Sequence, residues 1–118
     1  MMAPLAVVQA QLDAFNANDL DALMATYAPD AQQYALHGDL LAQGREALRA
    51  RYAIRFAEPD LHARLVSRTT MGNIVIDAEI ITRNFPEGRG TLEMLCVYEV
   101  VDGHIVRASF APGLQTLA

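Results

Sequence analysis

Apolar residues in the N-terminal half of the chain recur at steps of three and four, the spacing of an amphipathic helix. The spacing predicts a helix over residues 4–17, with apolar positions at Leu5, Val8, Leu12 and Phe15. A second, short helix is predicted over residues 20–26, because Asp19 is a suitable N-cap. A third helix is predicted over residues 45–57. The first half of the chain is therefore expected to be mainly helical.

The C-terminal half is rich in β-branched and aromatic residues and has the pattern of β-strands. Four strands are predicted, over residues 61–71, 73–85, 91–101 and 104–111. The Gly72-Asn73 pair separates the first two strands as a two-residue hairpin turn does. Upstream, residues 31–37 fit a further short strand and residues 38–43 are predicted to be a loop. This order predicts an α+β protein in which the helices cover one face of an antiparallel sheet.

Composition limits the chemistry. The 118 residues fit one domain, residues 1–118, and contain a single cysteine and no lysine, so all nine basic residues are arginine. Lysine Schiff bases and covalent pyridoxal phosphate are therefore excluded. The glycine-rich motifs of nucleotide-binding proteins and the GxSxG motif of hydrolases are absent as well. We expect a protein that works without a cofactor.

The charge balance bears on partners and location. A net charge of -5 and an isoelectric point near 5.0 argue against nucleic acid and anionic membranes as partners. No apolar run approaches the roughly 18 residues of a membrane span, and the first residues lack the basic segment of a signal peptide. Because Cys96 has no partner for an intrachain disulfide, a reducing compartment is expected. The sequence thus predicts a cytoplasmic protein.

Five short motifs, in this order, resemble the nuclear-transport-factor-2-like superfamily, particularly its SnoaL-like and ketosteroid-isomerase-like members. They are FNANDLDAL at 15–23, YAPDA at 27–31, GREAL at 44–48, GNIV at 72–75 and VYEVVDGHI at 97–105. The resemblance implies a cone, in which three N-terminal helices pack on a curved, mostly antiparallel sheet of four to five strands. It also implies a mostly apolar pocket at the mouth of the cone. It does not fix an activity, since this fold carries isomerases, cyclases, hydrolases, dehydratases and proteins that are not enzymes.

The resemblance to ketosteroid isomerase does not extend to its catalytic residues. That enzyme uses an Asp base with a Tyr and a protonated Asp as the oxyanion hole. By position, the oxyanion Tyr falls on Gln11, the base on Ala35 and the protonated Asp on Cys96. Only a supporting Tyr on the third helix has a counterpart, Tyr52. Steroid isomerase chemistry is therefore not expected.

Strand alternation sorts the side chains into two faces. A two-residue turn pairs Asp77 with Arg68, and continued alternation pairs Glu79 with Val66 and Ile81 with Arg64. By the resemblance, this face points into the cone, together with Leu92, Met94, Cys96, Tyr98, Val106, Ala108 and Phe110. The opposite face carries Ile74, Ile76, Ile80, Leu95, Val97 and Ile105, with Glu93, Glu99 and Arg107 among them. That face is too apolar for open water, so we expect a homodimer formed through it.

Two carboxylates two residues apart on one strand lie on the same side, so Asp77 and Glu79 are candidates for an acid–base pair. Burial would raise the pKa of one of them while Arg68 holds the other ionised. The alternative is a structural salt bridge between Arg68 and Asp77 with Glu79 hydrogen-bonded in the core. His37, beside the expected mouth, is a third candidate base, and its alternative is a solvated loop residue.

The candidate catalytic residues are Glu79, Asp77 and His37, and no metal site is expected, because the histidines and Cys96 lack ligand spacing. The candidate ligand-binding residues are Phe15, Tyr34, Tyr52, Arg68, Met94, Cys96, Tyr98 and Phe110. The alternative for each aromatic residue, and for Cys96, is an ordinary core position, which is the more common environment of a Tyr or a Cys. The arginines of the third helix (Arg45, Arg49, Arg51 and Arg55) are interpreted as a solvated face, and the alternative, a basic patch for anions, runs against the negative net charge. Two functions stay open: proton transfer of the isomerase, cyclase or dehydratase type on a small apolar or aromatic molecule, and a non-catalytic ligand-binding or dimerisation module.

Overall fold

The computed structural model describes residues 1–118, which form three helices and a six-stranded sheet. The elements are α1 Pro4–Asn16, α2 Leu20–Ala25, β1 Tyr27–Ala35, β2 Leu40–Gln43, α3 Arg45–Phe56, β3 His62–Met71, β4 Ile74–Phe85, β5 Gly88–Val101 and β6 His104–Leu117. The spatial order of the strands is β2-β1-β6-β5-β4-β3. Neighbours are antiparallel except β1 and β6, which run parallel. The α+β class is confirmed, and none of the helices has the length and apolar character needed to cross a membrane.

The three helices lie where the apolar spacing predicts them. Asp19 caps α2, since its Oδ1 accepts a hydrogen bond from the backbone N–H of Ala22 at 3.0 Å. The helix α3 ends at Phe56, one residue before the predicted end. Capping and helical spacing together were therefore sufficient to place these elements.

The sheet has one strand more than the four to five expected. The segment predicted to be a loop forms β2, which pairs antiparallel with β1 between Gln32 and Gln43 and between Tyr34 and Leu40. Four residues at a sheet edge are too few to show alternation, so this strand leaves no periodic signal. The strand β1 is also longer than predicted, because it starts at Tyr27 directly after α2 and joins the concave sheet alongside β6.

Register on β3 departs from simple alternation. Gly72, with a φ of 57°, forms the predicted turn, and Arg68 faces Asp77 as expected. Beyond that pair, a β-bulge at Val66 inserts one extra residue, so Glu79 is opposite Leu65 rather than Val66. The inward placement of Val66 and Arg64 was therefore wrong, and both side chains are exposed.

The core lies between the helices and the concave face of the sheet. Its largest fully buried side chains include Tyr27, Leu23, Leu48 and Tyr98. Ile105, expected on the outer face, belongs to this core, because a register shift after Glu99 turns it inward. The helices cover the concave face only in part, and the remaining space forms the cavity described next.

Candidate functional site

A cavity of about 120 Å³ opens between α1, α3 and the concave face of the sheet. Its lining is formed by Gln11, Leu12, Phe15, Arg51, Tyr52, Arg55, Ala63, Glu79, Ile81, Arg83, Met94, Cys96, Tyr98 and Phe110. The wall is mostly apolar, and Glu79 is the one carboxyl group in it. Cavities of this type, with a few convergent polar groups, are typical small-molecule sites.

The cavity brings together most of the candidate residues. Its lining includes Glu79 and six of the candidate ligand-binding residues, namely Phe15, Tyr52, Met94, Cys96, Tyr98 and Phe110. The structure places Asp77, Arg68, His37 and Tyr34 outside the lining. The inward face expected from strand alternation and the family resemblance therefore corresponds to the cavity wall on β4, β5 and β6.

His37 and Tyr34 lie away from the cavity for local reasons. His37 occupies the exposed turn between β1 and β2 with a φ of 56°, so its ring is in solvent. On β1, Gln33 takes the inward position and is fully buried, and alternation sends Tyr34 to the outer face. There its ring stacks under the guanidinium of Arg107, 5.4 Å from the ring centroid. As placed, neither residue reaches a ligand in the cavity.

Asp77 forms a two-pronged ion pair instead of lining the cavity. Its carboxylate oxygens accept hydrogen bonds from Nε and Nη2 of Arg68 at 2.6 and 2.9 Å. Asp77 is fully buried, and the hydrogen bonds that the Arg68 guanidinium donates to its carboxylate raise the pKa of Arg68. Gln9 on α1 accepts a third hydrogen bond from Arg68 at 2.7 Å. The pair therefore ties β3, β4 and α1 together.

Glu79 is buried and has few hydrogen-bond partners in the protein. Its side chain accepts one hydrogen bond, from the thiol of Cys96, at a long 3.7 Å between Sγ and Oε1. Burial raises the pKa of Glu79 to about 7, and the negative charge of Asp77 two residues away adds to the shift. A carboxyl group with such a pKa exchanges its proton readily at neutral pH.

Two neighbouring groups contribute neutral hydrogen-bonding atoms. Burial and the nearby Glu79 carboxyl raise the pKa of the Cys96 thiol well above its usual range, so the thiol is a donor rather than a nucleophile. The Tyr98 hydroxyl donates to Oε1 of Gln11 at 3.4 Å. The amide nitrogen of Gln11 has no protein acceptor, and no buried side-chain polar atom is left unpaired, so this N–H group is accessible from the cavity.

A buried hydrogen-bond network supports the other side of the cavity. Nε2 of Gln33 donates to the hydroxyl of Tyr52 at 2.8 Å and to that of Tyr27 at 3.3 Å. Oε1 of the same amide accepts a hydrogen bond from Nε of Arg51 at 3.1 Å. Burial raises the pKa of Tyr52, so its hydroxyl stays protonated. The network fixes Tyr52 and reaches the mouth at Arg51.

The sequence pattern did not assign the arginines at the mouth to the cavity. Arg51 and Arg55 were interpreted as part of a solvated face, and Arg83 was not singled out, yet all three line the cavity. Helical spacing is a signal that could have placed Arg55 at the cavity, because it lies three residues after the inward-facing Tyr52 and therefore on the same side of α3. Glu58 bridges two of them, accepting from Arg83 at 2.8 and 3.0 Å and from Arg55 at 2.8 Å. Burial opposes its ionisation, but these hydrogen bonds hold the pKa of Glu58 at about 2.

Comparison with known proteins adds family information. The sequence-family model of the SnoaL-like domain matches residues 8–108. An uncharacterised protein of cystatin fold from Novosphingobium aromaticivorans superposes with a TM-score of 0.87 at 26% identity, covering 94% of this chain and 99% of its own. A protein from Sinorhizobium meliloti described as a putative polyketide cyclase is 30% identical and has a TM-score of 0.73, covering 90% of this chain and 94% of its own. A protein of ketosteroid isomerase-like fold from Catenulispora acidiphila superposes with a TM-score of 0.77, covering 89% of this chain and 83% of its own. It is 16% identical to this chain and therefore shows the fold alone. The curated proteins contain no match.

Proposed function

Because this chain belongs to the SnoaL-like domain family, we propose that it binds a small, mostly apolar molecule in the cavity and transfers a proton on it without a cofactor. Glu79 is the acid–base group. The reaction is of the isomerase, cyclase or dehydratase type, in which a proton leaves or joins a carbon next to a carbonyl. The likeness to the protein described as a putative polyketide cyclase supports this class of reaction.

The position and pKa of Glu79 carry the proposal. It is the single carboxyl group on the wall, and its pKa of about 7 lies near neutral pH. At that pH both its ionised and its protonated forms are well populated, so the same group can take a proton from one atom and return it to another. Buried carboxyl groups without this role are usually paired, as Asp77 is with Arg68.

The surrounding groups have distinct parts in the proposed step. Glu79 removes a proton from the substrate carbon. The electron pair of the broken C–H bond forms the C=C bond of an enolate, and the π pair of the C=O bond moves onto the carbonyl oxygen. The free N–H group of Gln11 donates a hydrogen bond to that oxygen as its negative charge develops. Asp77, through its charge, and Arg68, by fixing Asp77, are positioning residues. The apolar wall of Phe15, Met94 and Phe110 excludes water.

Hydrogen–deuterium exchange tests this proposal without knowledge of the natural substrate. Small one-ring ketones with an acidic α-C–H, such as acetophenone and phenylacetone, are incubated with the protein in D2O and followed by proton NMR. We expect the protein to accelerate exchange and Glu79→Gln to slow it by about tenfold or more. Glu87→Gln, which removes an exposed carboxylate in the β4–β5 turn, is the matched control and leaves the rate unchanged. Equal rates for Glu79→Gln and the unaltered protein contradict the role of Glu79.

A second candidate function is non-catalytic ligand binding. It is supported by the absence of the isomerase residues, since Gln11, Ala35 and Cys96 occupy those positions by resemblance. The same experiment separates the two functions. A binding module shifts the NMR signals of the ketones but leaves their deuterium exchange at the rate in buffer.

We also propose that two copies pair through the outer face of the sheet. This face presents Ile74, Ile76, Ile80, Leu95 and Val97, and Leu95 is 39% exposed. Contiguous apolar surface of this kind favours association. We expect sedimentation at micromolar concentration to give a dimer and Ile76→Arg to give a monomer. Ile54→Arg, on the exposed side of α3, is the control and keeps the dimer. A monomeric parent protein overturns this pairing.

A further inference from the structure

The mouth of the cavity concentrates positive charge on a protein whose net charge is negative. Arg51, Arg55 and Arg83 line it, and Glu58 is the one acidic residue bound to them. Two positive charges therefore stay unbalanced at the entrance. A concentration of one sign of charge at an opening attracts ligands of the opposite sign.

Arg51 is held in place but keeps most of its donors free. Its Nε is bound by the amide of Gln33, which is fully buried and itself bound by the hydroxyls of Tyr27 and Tyr52. The two terminal nitrogens of the guanidinium have no protein acceptor. A guanidinium whose orientation is fixed by buried groups, with both terminal nitrogens free, is suited to a planar anion such as a carboxylate.

Arg55 adds a second free donor group beside the first. It uses one terminal nitrogen, Nη1, for Glu58 and leaves its other nitrogens without a protein acceptor. Arg51 and Arg55 are four residues apart on α3, where like charges destabilise a helix by about 0.2–0.5 kcal/mol. These two arginines therefore do not stabilise α3 by their charges. An anion bound between the two guanidinium groups would remove their repulsion.

We propose that the ligand of this cavity is a small carboxylic acid whose anionic group binds Arg51 and Arg55 while its apolar body enters the cavity. The inference deepens the proposed function by naming the substrate class, and it rests on that function. The volume of about 120 Å³ limits the body to about one ring, since an engineered cavity of about 150 Å³ admits benzene. Phe15, Met94 and Phe110 contact that ring, with Glu79 on the same wall.

A matched pair of probes tests the charge preference. Cinnamate and cinnamamide have nearly the same shape, but only the first carries a negative charge. We expect calorimetry to show that cinnamate binds about tenfold or more tightly than cinnamamide, with a preference that weakens as salt is added. Arg51→Gln and Arg55→Gln should each remove most of the preference by weakening the binding of cinnamate. A far-ultraviolet circular dichroism spectrum and a urea midpoint equal to those of the parent protein show that each variant is folded.

Arg49→Gln is the control for charge alone. It removes one positive charge from the same helix, but Arg49 pairs with Asp21 and lies outside the cavity lining. We expect this variant to keep the preference for cinnamate.

The outcomes separate this inference from the proposed function. Equal affinity for the two probes overturns the anionic substrate class and leaves proton transfer by Glu79 standing. A preference for cinnamate that survives in Arg51→Gln and Arg55→Gln overturns the assignment to these two residues. A preference that they abolish, together with unchanged deuterium exchange in Glu79→Gln, supports the binding inference and contradicts the catalytic proposal. Failure of both probes to bind overturns the inference together with the cavity as a ligand site.

Discussion

Arg68→Met is expected to lower the free energy of unfolding by about 3–5 kcal/mol, the largest effect of any single change proposed for this protein. The variant leaves the Asp77 carboxylate fully buried without its two charged hydrogen bonds. Removing one partner of a buried ion pair exposes the remaining charge to the full desolvation penalty. Urea unfolding at neutral pH, followed by far-ultraviolet circular dichroism, measures the loss.

Replacing both partners should recover most of that loss. In Arg68→Met with Asp77→Leu no buried charge remains, and apolar replacements of buried ion pairs are often neutral or stabilising. Arg64→Met on the same strand is the single-variant control, because Arg64 is exposed and has no ion pair, and its effect should stay within about 0.5 kcal/mol. A loss below about 1 kcal/mol for Arg68→Met would show that the pair contributes little to the fold.

The second large effect is on the pH dependence of stability. The pKa of Glu79 is raised to about 7 in the folded protein from an ordinary value of 4.5. Between these pH values the folded state holds a proton that the unfolded state has lost, so stability decreases as the pH rises. The full decrease from this one group is about 3 kcal/mol. Below pH 4.5 the group is protonated in both states and contributes no slope.

Glu79→Gln removes this titration and tests it directly. We expect the stability of the variant, relative to the parent protein, to increase by about 3 kcal/mol as the pH rises from about 4 to about 8. Urea unfolding at closely spaced pH values gives both curves, and groups common to the two proteins cancel in the difference. Glu87→Gln should run parallel to the parent protein, because Glu87 is exposed in a turn. A parallel curve for Glu79→Gln would mean that Glu79 titrates normally.

The fold was largely predictable because its signals are local. Apolar spacing and the Asp19 cap placed the helices, and the Gly72 turn fixed the register that brings Arg68 opposite Asp77. The bulge at Val66 was not predictable, since an inserted residue leaves the composition of the strand unchanged. The strand β2 was missed because its four residues depend on pairing with β1 rather than on a pattern of their own.

The candidate site was predictable on the sheet and much less so on the helices. Alternation and the family resemblance together put Glu79, Met94 and Cys96 on one face, and the structure brings them to one cavity. Arg51 is different, because its placement depends on Gln33, a residue 18 positions away on another element. Long-range contacts of this kind are not visible in the spacing of residues along one helix.

The bulge at Val66 also bears on how the protein avoids aggregation. The strand β3 is an edge of the sheet, with backbone groups open to pairing by another chain. A bulge twists such an edge and interrupts its flat hydrogen-bonding row, and exposed charges such as Arg64 discourage a second strand from docking. The opposite edge, β2, is only four residues long. Neither edge is therefore a good template for fibril growth, although the sheet between them is strongly apolar.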